Sequence, residues 1–245
     1  MLHIRNIVVE CPDERALAQF YVELLGMQVL REDWLVIAPD RETVPRLAFD
    51  TVPDYRPPRW PDPAYPQQVH LDLPAVDLDA AEQLALRLGA SRLQDRDTYR
   101  SYADPAGHPF CVYHDPDEPV GAGRPLSGRI GRVVFDCFSP RALASFYGSL
   151  LDLPTRVEDT PERVVIAGPD RRAPMLGFQH GQFPAPRWPD PAYPQQLHVD
   201  IDVADAGPGE LALRLGAIRL PDLGGSCPVY ADPAGHPFCL CAPDQ

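Results

Sequence analysis

"RWPDPAYPQQ" runs from Arg59 to Gln68, and the same ten residues return from Arg187 to Gln196. Loop side chains are exposed and loop lengths tolerant, so connectors of this kind drift readily. An unchanged copy therefore points to a shared use or a recent duplication. The spacing of 128 residues between the copies holds beyond the loop. "YADPAGHPFC" from Tyr102 returns from Tyr230 at 128, "LALRLGA" from Leu84 returns from Leu211 at 127, and "FY" at Phe20 returns at Phe146 at 126. Such a period far exceeds the roughly 20–50 residues of solenoid repeats. The chain reads as two copies of one module, residues 1–115 and 128–245, joined by a Pro- and Gly-rich linker at 116–127.

Within each copy a strand, a helix and several short strands occur twice, a βαβββ order repeated. "IRNIVVEC" reads as a strand. In "DERALAQFYVELLG" Asp13 is placed to cap, Leu17, Phe20, Tyr21 and Leu24 fall on one helical face, and Gly26 closes the end. In the second copy Ser139 is the expected cap and Pro140 takes the first helical position. "DLDAAEQLALRLGA" places Asp79 and Glu82 at capping-box spacing with Gly89 as terminator. Asp104 to Gly107 suits a type I turn between two strands.

Composition excludes several classes of function. The 245 residues carry a formal net charge of −13, and all 22 basic residues are Arg, with no basic stripe. Affinity for nucleic acid rests on cations displacing phosphate counterions, so a nucleic-acid partner is not expected. No stretch approaches the length of a membrane span, and the N-terminal apolar run is too short for a signal peptide, which reads as a cytoplasmic protein without a membrane partner. The six cysteines lie without CxxC spacing, and the expectation is reduced core residues rather than disulfides.

The double βαβββ order, "FYVELLG" on the first helix and "DPAGHPF" before the last strand resemble the vicinal oxygen chelate (VOC) superfamily, which includes glyoxalase I, bleomycin-resistance proteins and extradiol dioxygenases. "RWPDPAYPQQVHLD" narrows the resemblance to the glyoxalase-like subgroup. It implies an α+β fold of two tandem modules, each a pair of βαβββ units curled into a cup-shaped mixed sheet with helices outside. Enzymes of the superfamily hold a divalent metal at four strand positions facing the cup. Carried onto this sequence, these fall at Asn6 and Arg132, at or beside Phe49 and Phe178, at His70 and His198, and at Cys111 and Cys239. Only the histidines are usual ligands there. A catalytic metal site needs about three protein ligands, and Arg132 repels a cation, so no cofactor is expected and a divalent metal is disfavoured.

Period-two alternation extends these sets, placing Glu10 with Asn6, Asp72 with His70, Asp136 with Arg132, and Asp200 with His198. His70 with Asp72, or His198 with Asp200, could be a general acid or base whose imidazole a carboxylate holds. Alternatively, each His is a buried residue donating to a backbone carbonyl or to the loop that covers it, a shared structural bond that the repetition of His-x-Asp in both copies favours. Trp60 and Trp188 either stack a flat ligand at the mouth or anchor the loop, and the anchor is favoured. His108 and His236 read as surface or turn residues. The expected function is binding or sequestering of a small aromatic or apolar molecule without a catalytic metal. The alternative is a metal-dependent or His-based lyase, isomerase or dioxygenase. The modules are expected to pack as an intramolecular pseudo-dimer, with a homodimer as a further association state. Because Arg132 stands where the first copy has Asn6, the sites should be unequal.

Overall fold

The computed structural model describes residues 2–62, 64–116, 124–169, 174–181, 186–190, 195–205, 207–221, 225 and 227–242. Most of the expected linker (117–123), together with Tyr193, lies outside them. The βαβββ order appears four times. The first unit holds β1 (His3–Cys11), α1 (Glu14–Leu25), β2 (Gln28–Arg31), β3 (Val36–Ala38) and β4 (Arg46–Thr51). The second holds β5 (Val69–Ala75), α2 (Leu78–Arg87), β6 (Ser91–Asp95), β7 (Tyr99–Ala103) and β8 (Pro109–His114). The third holds β9 (Arg132–Cys137), α3 (Pro140–Leu151), β10 (Thr155–Asp159), β11 (Arg163–Ala167) and β12 (Met175–His180). The fourth holds β13 (Leu197–Asp202), α4 (Gly207–Arg214), β14 (Ile218–Arg219), β15 (Val229–Ala231) and β16 (Pro237–Cys241).

The α+β class and the tandem modules are as expected, but the units share sheets in a different combination. One eight-stranded mixed sheet runs β14-β15-β16-β13-β1-β4-β3-β2 and the other β10-β11-β12-β9-β5-β8-β7-β6. Each sheet therefore joins one unit of the first module to one unit of the second. The seams are antiparallel, β1 on β13 with Asn6 opposite Asp200, and β5 on β9 with Asp72 opposite Arg132. The two units of one module meet instead through their helix sides. Tyr21 of α1 donates to Asp104 at 3.0 Å while Phe20 lies edge-on to Phe110 at 6.0 Å, and Tyr147 of α3 donates to Asp232 at 3.1 Å. The motifs "FY" and "YADPAGHPF" recur together because each pair closes one module's core.

Local signals fare unevenly. Asp13 caps α1 by accepting from the backbone of Arg15 and Ala16, and Gly26 ends it at φ 71°, where a side chain would be strained. Ser139 makes no side-chain capping bond, and Pro140 opens α3 unaided. The cap of α2 is Asp77, which accepts from Ala80, rather than Asp79. Asp79 and Glu82 instead receive Arg100, at 2.6 and 2.9 Å. His108 and His236 are buried, not surface residues. His108 Nε2 lies 2.6 Å from the Glu10 carbonyl oxygen and 2.9 Å from Tyr55 Oη, while His236 pairs with Asp232 at 3.1 Å. The expectation of fully reduced cysteines fails at one pair, because Cys227 and Cys241 form a disulfide with an S–S distance of 2.06 Å. The repeat hides this pair, since Tyr99 and Tyr113 stand opposite each other at the corresponding place in the first module.

Candidate functional site

Each sheet carries a cup, and sheet register sets which residues line it. In the β1–β13 cup, Arg46, Asn6, Asp200 and Cys239 form one cross-strand row. Val36, Ala48, Val8 and His198 form the next, and Asp50 and Glu10 the third. In the β5–β9 cup the corresponding rows are Met175, Arg132, Asp72 and Cys111; then Val165, Gly177, Val134 and His70; then Gln179 and Asp136. Asn6 and Glu10 thus share a cup with His198, Asp200 and Cys239, and Arg132 and Asp136 share one with His70, Asp72 and Cys111. The module-by-module grouping expected from sequence is exchanged, because sheet pairing crosses between modules.

Phe49 and Phe178 do not line either cup. Both are fully buried in the core, Phe49 beside Tyr21 at 6.1 Å and Phe178 stacked on Phe135 at 5.7 Å. Alternation carries the cup face to the next residue, so Asp50 and Gln179 are the lining positions. Trp188 lines the β1–β13 cup and Trp60 the other, each half-buried at the mouth.

The duplicated loop is held by its glutamines, which sequence reasoning passed over. Gln67 Nε2 donates to Asp136 at 2.9 Å, and Gln195 hydrogen-bonds Glu10 in the same way. Gln196 accepts from the Gln68 backbone at 2.9 Å and donates to the Pro66 carbonyl at 2.7 Å, so the two copies of the loop meet each other. Gln67 and Gln195 each secure an acid in a cup, and the Gln196 side chain joins the two copies. The His-x-Asp pairs are not the tie to the loop. His70 Nε2 lies 3.5 Å from Asp72 and its Nδ1 4.0 Å from Asp136; His198 Nε2 lies 3.7 Å from Asp200. The buried Nδ1 of both imidazoles has no hydrogen-bond partner. A dipeptide QQ directly ahead of His-x-Asp in both copies was the available signal.

Electrostatics separate the cups. Burial works against charge on His70, but Asp72 and Cys111 beside it outweigh that and hold its pKa well above the ordinary value. For His198 burial prevails over Asp200 and Asp50, and the pKa is lowered. The geometry agrees, since His70 faces two carboxylates within 4.0 Å and His198 one. Asp72 is driven down to about 2: burial opposes its charge, yet His70, Arg163 and Arg132 overcome it. Arg132 reaches Asp72 at 3.2 Å and Arg163 at 3.3 Å. In the other cup Asp200 accepts from the amide of Asn6 at 3.0 Å, and Asp50 accepts from Trp34 Nε1 at 2.7 Å. Glu10 is pushed up to about 7, chiefly by burial. Burial and the neighbouring Asp200 also raise Cys239, which disfavours a thiolate nucleophile.

Among the described residues, two groups could offer ligands to a metal. The donor atoms of His70, Asp72 and Cys111, and those of His198, Asp200 and Cys239, lie within 4.8 Å of one another. The first set is a poor fit, because two guanidiniums already occupy Asp72. In the second set Asp200 accepts from the neutral amide of Asn6 at 3.0 Å, and the donors are compatible with a soft divalent ion such as zinc.

A pair of cup-bearing eight-stranded sheets built from four βαβββ units defines a VOC protein. The glyoxalase-like domain family matches residues 6–113 and again 132–241, and the chain belongs to that family. Glyoxalase I from Zea mays is similar in structure, with a TM-score of 0.67 at 15% identity over 98% of this chain and 92% of that one. A putative dioxygenase from Bacillus subtilis subsp. subtilis str. 168 gives a TM-score of 0.64 at 13% identity over 99% and 85%. At these identities the likeness speaks for the fold alone. No curated protein matches the chain in sequence.

Proposed function

We propose that this glyoxalase-like protein binds a small organic molecule, aromatic or apolar, in its cups without a catalytic metal, in the manner of the bleomycin-resistance relatives. The observation that carries the reading is the pair of contacts from Arg132 and Arg163 to Asp72, at 3.2 and 3.3 Å. These place fixed positive charge where a metal would have to sit. Cavities of about 450 Å³ in the β5–β9 cup and about 680 Å³ in the β1–β13 cup suit small molecules, and a tryptophan stands at each mouth.

A second reading is favoured by one feature of the β1–β13 cup. His198, Asp200 and Cys239 form a compact donor group, which would support a metal-dependent lyase, isomerase or dioxygenase reaction of the kind the neighbours' names suggest. A bound ion would there supply Lewis acidity, with Glu10 beside it, its pKa raised to about 7, as the residue suited to moving a proton.

Metal analysis of protein purified without chelator separates the two. The binding reading expects substoichiometric metal. One equivalent per chain that disappears in His198→Ala would overturn it in favour of the second. A thermal-shift panel of aromatic metabolites should raise the midpoint, since a ligand at a hundred times its Kd stabilises by about 2.7 kcal/mol.

A further inference from the structure

The two cups share a frame and differ at a few corresponding positions. Sheet register matches Asn6 to Arg132 and Asp50 to Gln179. Two residues before the matched Val36 and Val165, Trp34 corresponds to Arg163. The strand pair that closes the cup holds the Cys227–Cys241 disulfide in one case and Tyr99 opposite Tyr113 in the other. At these positions the β5–β9 cup has two guanidiniums and two phenol rings and lacks a carboxylate around the same His-Asp-Cys group, whereas the β1–β13 cup has Arg46 in the row where its sister has Met175, and its cavity is lined by Arg5 and Arg31.

We infer that the β5–β9 cup takes an organic anion with an aromatic body, an aryl carboxylate, with the anionic head on Arg132 and Arg163 and the ring against Trp60, Tyr99 and Tyr113. This rests on the binding role proposed above and names its ligand class. Two guanidiniums, Arg132 and Arg163, line the cavity together with His70 and His114, and Asp72 is the carboxylate lining it. Asp136 lies behind them, with both oxygens covered by the amides of Gln67 and Gln179 at 2.9 and 2.7 Å. Glu158 approaches Arg163 at 3.7 Å from the rim, where its side chain is 42% exposed. The guanidinium of Arg132 lies over the Tyr113 ring at 4.4 Å, which fixes the plane in which it can present donors. Arg132 and Arg163 spend some of their donors on Asp72 and keep side-chain exposures of 24% and 32%. The Nδ1 of His70, a residue 5% exposed, lies in the same cup without a hydrogen-bond partner, 4.0 Å from Asp136. Arginine forks of this kind bind carboxylates with two parallel hydrogen bonds. The β1–β13 cup has Asn6, Trp34 and Asp50 at these places; its cavity arginines are paired, Arg5 with Asp202 at 3.2 Å and Arg31 with Asp33 at 2.8 Å, and three carboxylates, Glu10, Asp50 and Asp200, line it, so it should not discriminate in favour of the anion.

The test is calorimetry on the full chain with 2-naphthoate and its neutral isostere 2-naphthamide. The expected result is one naphthoate per chain, bound at least ten-fold more tightly than the amide and weakened by salt. Arg163→Trp and Arg132→Asn, which install the residues of the sister cup, should each remove most of that preference. Equal affinity for the two probes, or a preference that survives both Arg163→Trp and Arg132→Asn, overturns the anion assignment but leaves small-molecule binding standing. If neither these probes nor the wider aromatic panel bind, the binding role itself falls. The wild-type comparison needs no variant, so poor folding of a mutant does not blunt it.

Discussion

At the level of single residues, chemistry in this protein follows from which neighbours burial forces together. Glu10, 6% exposed, is held near pKa 7 because burial disfavours its charge more than the Gln195 hydrogen bond favours it, with Asp50 adding repulsion. A folded pKa above the ordinary 4.5 means that the fold favours the protonated acid. Its stabilising contribution is complete below the unfolded value and is lost as pH rises through about 7. Chemical denaturation at pH 5 and pH 8 should therefore show the wild type losing on the order of 2–3 kcal/mol more than Glu10→Gln over this interval. His70 titrates in the same sense but is common to both proteins. Parallel pH profiles would count against the burial account of Glu10. The Tyr21 hydroxyl offers a second test, since it donates to the buried Asp104 at 3.0 Å. Tyr21→Phe leaves that carboxylate short of a donor and should cost about 1–3 kcal/mol in urea unfolding.

Elements here are set by local chemistry only where nothing better competes for the side chain. Asp77 is available to cap α2 and does so, whereas Asp79 and Glu82, at the textually better spacing, are drawn across to Arg100. Asp77→Ala should lower stability by about 1 kcal/mol, and Ser139→Ala, which removes no capping bond, should change it by a few tenths at most. A comparable cost for both would contradict the capping geometry. Strand parity shows the same division. His-x-Asp and Asn6 with Glu10 were legible as cup-facing pairs, because alternation needs one fixed residue to orient a strand. On β4 and β12 the bulky Phe49 and Phe178 drew attention, yet aromatic bulk marks the core side, and the lining residues are Asp50 and Gln179. Trp34 and Arg163 escaped notice because one lies in the turn before β3 and the other at the start of β11, where periodicity has no run to act on.

The whole molecule is organised by an exchange, with cores closed within a module and cups closed between modules. Neither module owns a complete cup, since β1 pairs with β13 and β5 with β9. Residues 1–115 produced alone would leave the outer edges of β1 and β5 unpaired, and unpaired edges template association. Such a fragment should self-associate into a dimer in which β1 of one copy pairs with β5 of the other, detected by light scattering. A stable monomer would show that a module can close a cup by itself. The loops meet at this junction, where the Gln196 side chain accepts from the Gln68 backbone and donates to the Pro66 carbonyl.

The amino-acid sequence by itself determined the duplication, the βαβββ order, the helix faces and the residue types available to each cup, because these depend on periodicity and repetition along the chain. Tertiary structure alone decided which half of one module faces which half of the other. Each of the four units offers the first strand of its βαβββ order as a seam edge, and packing in space chooses among these partners. That choice puts Arg132 on Asp72 and Asn6 on Asp200, and so gives one chain two cups of different chemistry.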